Sequence, residues 1–239
     1  MFSYNSNLKK EDNQKVIVEF TKWEGSKSPQ GKITKVLGDV GDNNAEMNSI
    51  MYEYGLPVDF PQDVINESEL VPEVITEKEI KSRRDMRDVT TITIDPVDAR
   101  DFDDALSLKV INDNRFEIGV HIADVGHYVK PGTKLDDEAY ERATSVYLVD
   151  RCVPMLPERL SNGICSLKPN EDRLAFSVVF TLDSDGKIVK EWHGKTVIHS
   201  DMRFAYEDAQ EIIEGKDDKY TGEDRVYPEM VNHLNNLAK

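Results

Sequence analysis

Between Ile94 and Leu106 the chain reads IDPVDARDFDDAL, and five of these residues are aspartates: Asp95, Asp98, Asp101, Asp103 and Asp104. Carboxylates crowded in this way repel one another, so each must reach open water, take up a proton or share a cation. Ile92, Ile94, Phe102, Ala105 and Leu106 are interleaved with the charges. A solvated acidic loop has no need of such apolar neighbours; a partly buried cation site does.

The type of cation follows from spacing. An EF-hand loop requires glycine at its sixth position and glutamate at its twelfth. Counted from Asp95 the sixth residue is Arg100, and from Asp101 it is Leu106, which excludes that calcium motif. Magnesium asks for less: one or two carboxylates, several waters and the phosphate oxygens of a substrate. Asp101, Asp103 and Asp104 lie within four residues, and Asp95 precedes Asp101 by six. A loop folding Asp95 back toward the other three would gather carboxylates able to hold two metals about 4 Å apart, an arrangement suited to phosphodiester cleavage. A structural divalent-metal site and a plain solvated loop are the competing readings.

Alternating runs must carry the cluster. TTITI leads into it, and ALSLKVI, a turn at NDN and FEIGVHIADV follow; LAFSVVFTL and KIVKEWHGKTVIH are joined by DSDG. A helix is expected over DDEAYERATSVYL with Asp136 or Asp137 near its start, then a proline-rich loop, CVPMLPERLSNGICSLKPNEDR. AYEDAQEIIEG reads as a helix closed by Gly215. In YPEMVNHLNNLAK, Val231, Leu234 and Leu237 form a helical stripe with no evident partner, as in a helix cut short.

Upstream, KVIVEFTKW (Lys15 to Trp23) and GKITKVLG (Gly31 to Gly38), separated by a loop with GSKSP, read as two strands, too few for an independent sheet. A helix follows, capped by Asn44, with Met47, Ile50, Met51 and Tyr54 on its buried stripe and Gly55 and Pro57 at its end. Val58 to Glu73 is acidic and proline-punctuated, as in a linker. Thr76 and Glu79 form a capping-box pattern that opens a short helix, EKEIKSRRDMRD, whose Lys81, Arg83, Arg84 and Arg87 suit its C-terminal dipole.

The totals limit the partners. A net charge of −16 argues against a basic, phosphate-gripping face. Cys152 and Cys165 make neither a disulfide framework nor, with no histidine at suitable spacing, a zinc site, and both are expected to be buried thiols. The N-terminal MFSYNSNLKKEDNQ lacks the apolar stretch of a secretory signal, and no run is long enough to span a bilayer, so a cytoplasmic location without membrane contact is expected.

IDPVDARDFDDAL, then VHIADVGHYV, LDDEAYERATSVYLVD and VPMLPERLSNGICSLKPNEDR, resembles the catalytic domain of the ribonuclease II/ribonuclease R (RNB) exoribonuclease family, closest to its ribonuclease R branch. The likeness is continuous from about Arg87 to about Gly215, and KVIVEFTKW with GKITKVLGD looks like the closing strands of the preceding cold-shock domain. It implies an α+β fold: residues 1–40 as the C-terminal part of the second cold-shock (OB-like) barrel, 41–88 as a helical linker, and 89–239 as the first half of an RNB catalytic domain, a mixed sheet with helices. It also implies a magnesium-dependent 3′→5′ exoribonuclease of the exoribonuclease II type, processive on single-stranded RNA and releasing nucleoside 5′-monophosphates, as a monomer without an obligate protein partner.

Carried over by position, the four active-site aspartates of the family, its catalytic and metal-binding set, fall on Asp95, Asp101, Asp103 and Asp104. Asp98 is outside that set. The tyrosine that stacks on the 3′-terminal base falls on Tyr147; its place on a stripe with Ala139, Tyr140 and Ala143 would otherwise make it a core aromatic. His121, His127 and His199 are expected to be structural. The family's further domains, and the downstream half that supplies an active-site arginine and glutamate, have no counterpart here. The chain is therefore expected to be an internal fragment whose phosphate-gripping surfaces lie elsewhere. A catalytically inactive RNA-binding or scaffold protein of the same fold is the alternative, but a scaffold has no use for four mutually repelling carboxylates.

Overall fold

The structure is a computed structural model and describes residues 13–22 and 29–239; Trp23 and most of the GSKSP loop lie outside them. The chain divides into two compact units, residues 1–61 with 146–153, and residues 62–145 with 154–239. In the first, β1 (Gln14–Lys22) pairs antiparallel with β2 (Gln30–Asp39), with Val18 opposite Ile33. Helix α1 (Asn43–Glu53) follows. Its cap is Asp42, which accepts from Ala45 N at 3.0 Å, and not Asn44. The expected stripe is only partly realised: Met51 is buried, whereas Ile50 and Tyr54 face solvent.

The second unit opens with α2 (Gln62–Leu70), inside the stretch expected to be a linker. Val64 and Ser68 are its buried residues, a pattern too sparse to stand out among acidic neighbours. Thr76 caps α3 (Glu77–Lys81) as expected, its Oγ1 accepting from Glu79 N. The helix ends at Ser82 instead of running on, because Arg84–Asp85 form β3. The arginines beyond it leave the helix for other partners. Arg83 is fully buried between Glu79 (2.7 Å) and Asp124 (2.8 Å), Arg84 pairs with Glu117 and lies over Trp192, and Arg87 holds Asp85 and Asp172.

The sheet continues with β4 (Thr91–Asp95), β5 (Asp104–Asn112) and β6 (Arg115–Ala123). Two helices follow, α4 (Val125–Tyr128) and α5 (Lys134–Arg142). Helix α5 is capped by Thr133, not by an aspartate, and stops at Ala143, which takes a left-handed φ of 63°. The helix thus ends well before Tyr147. That residue lies in a short hairpin of β7 (Val146–Tyr147) and β8 (Cys152–Val153), which groups with the first unit. Tyr147 is 64% exposed, so the core-stripe reading fails. The proline-rich loop contains β8 and a π-helical turn, Arg159–Ile164. Cys165 is buried as expected, but Cys152 is exposed.

Strands β9 (Asp172–Asp183), β10 (Ile188–His199) and β11 (Met202–Ala205) complete a seven-stranded mixed sheet ordered β11-β4-β5-β6-β9-β10-β3. Only the two edge pairings, β11 with β4 and β3 with β10, are parallel. Helices α6 (Tyr206–Ile213) and α7 (Val226–Leu237) cover one face, where Ile92, Phe204, Ala209, Ile212, Met230 and Val231 form a core. Val231 and Leu234 pack into that core, so the terminal helix does have a partner. Among the described residues no helix is long and apolar enough to cross a membrane.

The sheet also buries a row of polar side chains. Ser107 of β5, His121 of β6, Ser177 of β9 and Thr196 of β10 are all inaccessible to solvent and linked in series: Ser107 Oγ to His121 Nε2 at 2.8 Å, His121 Nδ1 to Ser177 Oγ at 2.6 Å, and Ser177 Oγ to Thr196 Oγ1 at 2.6 Å. Gly119 makes room for the imidazole, since a Cβ there would sit 2.4 Å from Ser107 Oγ and 2.5 Å from His121 Nε2.

Two outcomes are predicted. Gly119→Ala should destabilise the fold by about 2 kcal/mol or more, measured by urea unfolding, because nothing beside the new methyl can yield without breaking the row. Burial holds the His121 imidazole down at about 4. The unfolded chain protonates it near the ordinary value of 6.5, so the folded state loses stability as pH falls between these values, by up to about 3 kcal/mol. The stability difference between the native chain and His121→Gln should therefore shrink from pH 6.5 to pH 4; a constant difference would contradict the neutral imidazole.

Candidate active site

The acidic cluster is a loop bounded by two strands. Asp95 is the last residue of β4 and stands beside Ala205 of β11, while Asp104 is the first residue of β5, opposite Ile122. Residues 96–103 must turn the chain between these strands, and their backbone is tied at successive points. Ala99 N donates to Pro96 O at 3.0 Å within the loop. The buried Ser166 hydroxyl donates to Arg100 O and accepts from Phe102 N, both at 3.0 Å. Phe102 O accepts from Leu167 N at 2.8 Å, and Asp103 O from Ala123 N at 2.9 Å. Arg203 of β11 donates to Pro96 O at 2.6 Å and Val97 O at 2.8 Å.

The apolar neighbours behave as anchors. Ile92, Phe102 and Ala105 are buried, and Ile94 and Leu106 are half-buried. Their burial anchors the backbone from which the carboxylates project. Asp95 is buried, Asp101 half-buried, and Asp103 and Asp104 are accessible; Asp98 is exposed at the loop surface.

Desolvation, first of all, raises the Asp95 pKa above its ordinary value; Thr93 and Arg203 oppose the rise, and the Asp104 and Asp101 carboxylates add to it. One Asp95 oxygen, Oδ2, is buried with no hydrogen-bond partner. Asp103 is raised by desolvation and then by repulsion from Asp101 and Asp104. Nearby Cys165 is pushed up to about 12 by burial, with Asp103 adding to the effect, which leaves it an inert thiol. Asp95 and Asp103 are thus each coupled electrostatically to Asp101 and Asp104.

Among the described residues no three His, Cys, Asp or Glu side chains converge closely enough to hold a metal on their own. Magnesium does not need that many, because it keeps several waters and takes phosphate oxygens from its substrate. An orphaned, desolvated carboxylate oxygen among repelling neighbours fits such an ion.

The histidines are occupied structurally. His121 lies in the buried row, His127 sits 3.3 Å from Arg83, and His199 bonds Asp172 at 2.8 Å. Tyr147 presents an exposed aromatic face on its hairpin. Sequence reasoning missed Ser166 and Arg203. Each acts on the loop from more than 60 residues away, and neither carries a local signal.

The family model described as RNB domain matches residues 83–239, which include the sheet and the whole acidic loop. The chain belongs to the RNB family. A cold-shock domain model matches residues 4–61, upstream of the RNB segment. Ribonuclease R of Thermotoga maritima is 46% identical over 205 residues, covering 84% of this chain and 29% of that protein. A protein of Arabidopsis thaliana named as an inactive exonuclease DIS3L2 is 41% identical, over 85% of this chain and 19% of its own length. The structure of Mycoplasma genitalium RNase R in complex with double-stranded RNA superposes with a TM-score of 0.81 at 26% identity, covering 96% of this chain and 41% of that one. The chain thus spans under a third of the length of the curated relatives it matches.

Ser166→Ala removes both a donor to Arg100 O and an acceptor for Phe102 N. It should cost about 1–3 kcal/mol in chemical unfolding, because the loop's buried polar groups lose their partner. Hydrogen exchange of the Phe102 amide should accelerate selectively; an unchanged rate would show that other ties suffice.

Proposed function

We propose that this RNB chain carries the metal-binding carboxylates of a 3′→5′ exoribonuclease that degrades single-stranded RNA processively to nucleoside 5′-monophosphates with magnesium. The observation that supports this most directly is the buried, unpartnered Asp95 oxygen, in a cluster where desolvation and then carboxylate repulsion raise the pKa values of Asp95 and Asp103. Asp95, Asp101, Asp103 and Asp104 are the residues that would hold the ions. When bound, divalent ions supply an acidified water and neutralise charge on the phosphate and the departing 3′-oxygen.

The remaining roles belong to the chain itself. Phe102 and Ala105, buried on either side of Asp103 and Asp104, fix where those carboxylates emerge. Ser166 and Ala123 hold the intervening backbone, so that binding need not first order the loop. The exposed ring of Tyr147 is suited to stacking on a terminal base, a contact indifferent to sequence because every base offers a π face.

A non-catalytic RNA-binding role is the second reading, favoured by the relative named as an inactive exonuclease. The presence of all four aspartates weighs against it. The deciding experiment supplies the 239-residue chain with uniformly labelled single-stranded RNA and magnesium, beside Asp103→Asn. Release of nucleoside 5′-monophosphates by the native chain and not by the variant is the expected result; equal release by both would remove Asp103 from the chemistry. In the same assay Tyr147→Ala should change the length of the smallest end product, and an unchanged product would exclude stacking on the terminal base.

A further inference from the structure

Arg203 is a charged side chain at this site to which the catalytic reading gives no role. It lies on β11, two residues before the partner of Asp95 in the parallel pairing of β11 with β4. Its Nη2 donates to the carbonyls of Pro96 and Val97, the two residues that follow Asp95. Its guanidinium carbon lies over the ring of Phe102, 5.1 Å from the centroid, one residue before Asp103. Its Nε is buried without a hydrogen-bond partner, so the hydrogen bonds that place the side chain are made at its tip. One side chain therefore touches the acidic loop at both ends.

We propose that Arg203 is a positioning residue that sets the spacing of Asp95 relative to Asp101, Asp103 and Asp104, and through it the affinity of the cluster for divalent cations. The inference rests on the divalent-metal reading above. Arginine suits the task because its Nη2 serves both carbonyls while the body of the guanidinium lies over an aromatic ring; a lysine ammonium, a single point charge, would lose the ring contact in reaching the carbonyls.

A nearby positive charge and a mechanical tether have opposite consequences for a cation. Arg203 partly offsets the negative charge of Asp95. If charge were its whole contribution, removing it would leave the cluster more negative and tighten cation binding. If it positions the loop, removing it lets like charges spread and weakens binding.

The test titrates the 239-residue chain, Arg203→Lys and Arg203→Gln with Mn2+ alone, followed by electron paramagnetic resonance, and measures trypsin cleavage after the exposed Arg100 in parallel. Both variants should bind Mn2+ about 10-fold or more weakly, the scale of losses seen when supporting groups around metal ligands are removed. Both should also be cut faster at Arg100. Ile212→Ala, which weakens the core beneath α6, should lower the melting temperature and leave Mn2+ affinity unchanged; a matching loss of affinity would reduce Arg203 to a general stabilising role and overturn the proposal. Tighter binding by Arg203→Gln with native-like binding by Arg203→Lys would also overturn it. A native chain that binds no Mn2+ would overturn the metal reading instead. The cleavage rates would then judge the tether alone, faster cutting upholding it and equal cutting overturning it.

Discussion

Repulsion among carboxylates is the constraint around which this site is built. Two like charges about 6 Å apart in an effective dielectric of about 20 repel by roughly 3 kcal/mol, and several such pairs would open an untethered loop. The fold opposes this through the backbone. Carbonyls and amides at Pro96, Val97, Arg100, Phe102 and Asp103 are engaged by Arg203, Ser166, Leu167 and Ala123. The carboxylates themselves are left with raised pKa values at Asp95 and Asp103, a debt of charge that a cation would settle. Tethering the main chain while one Asp95 carboxylate oxygen stays without a partner is a division of labour that a binding site requires and a solvated loop does not.

The same economy of paired polarity governs the interior of the sheet. Burying Arg83 is tolerable because Glu79 and Asp124 meet its charge and the carbonyls of Ala175 and Thr196 lie within 3.4 Å. The row from Ser107 through His121 and Ser177 to Thr196 crosses four strands with its members bonded in series. A one-residue register slip of any of these strands would send its member to the other face and break the row. The row therefore specifies strand alignment as well as filling space.

Much of this was legible in the sequence, for identifiable reasons. Period-two alternation located β4, β5, β6, β9 and β10 because these strands are packed on the sheet faces, and the Thr76–Glu79 pattern marked a helix start because capping is local. The acidic cluster and its apolar neighbours were likewise visible as composition. What escaped depended on distance or on backbone strain. Nothing in the sequence marks Ala143 for a left-handed conformation, so the sequence carries α5 on through Tyr147 and offers a stripe position as the alternative to a stacking role for its exposed ring. Helix α2 buries too little to show a period, and the stripe on α7 finds its partners in other elements, α6, β11 and the distant β4. Ser166 and Arg203 are ordinary residues until the fold brings them to the loop.

The parallel pairing of β11 with β4 has a consequence for how the molecule is made. The Arg203 guanidinium and the carbonyl of Pro96 are separated by 107 residues. At about 5–20 residues per second, ribosomes need roughly 5–20 s to synthesise that interval. Throughout it, β4 lacks its edge neighbour and the acidic loop lacks one of its ties. The antiparallel hairpins rest on contacts local in sequence, whereas the tie from β11 can be made only after residue 203 has been synthesised. A nascent chain of this kind carries its carboxylates long before Arg203 is present to hold the loop between them.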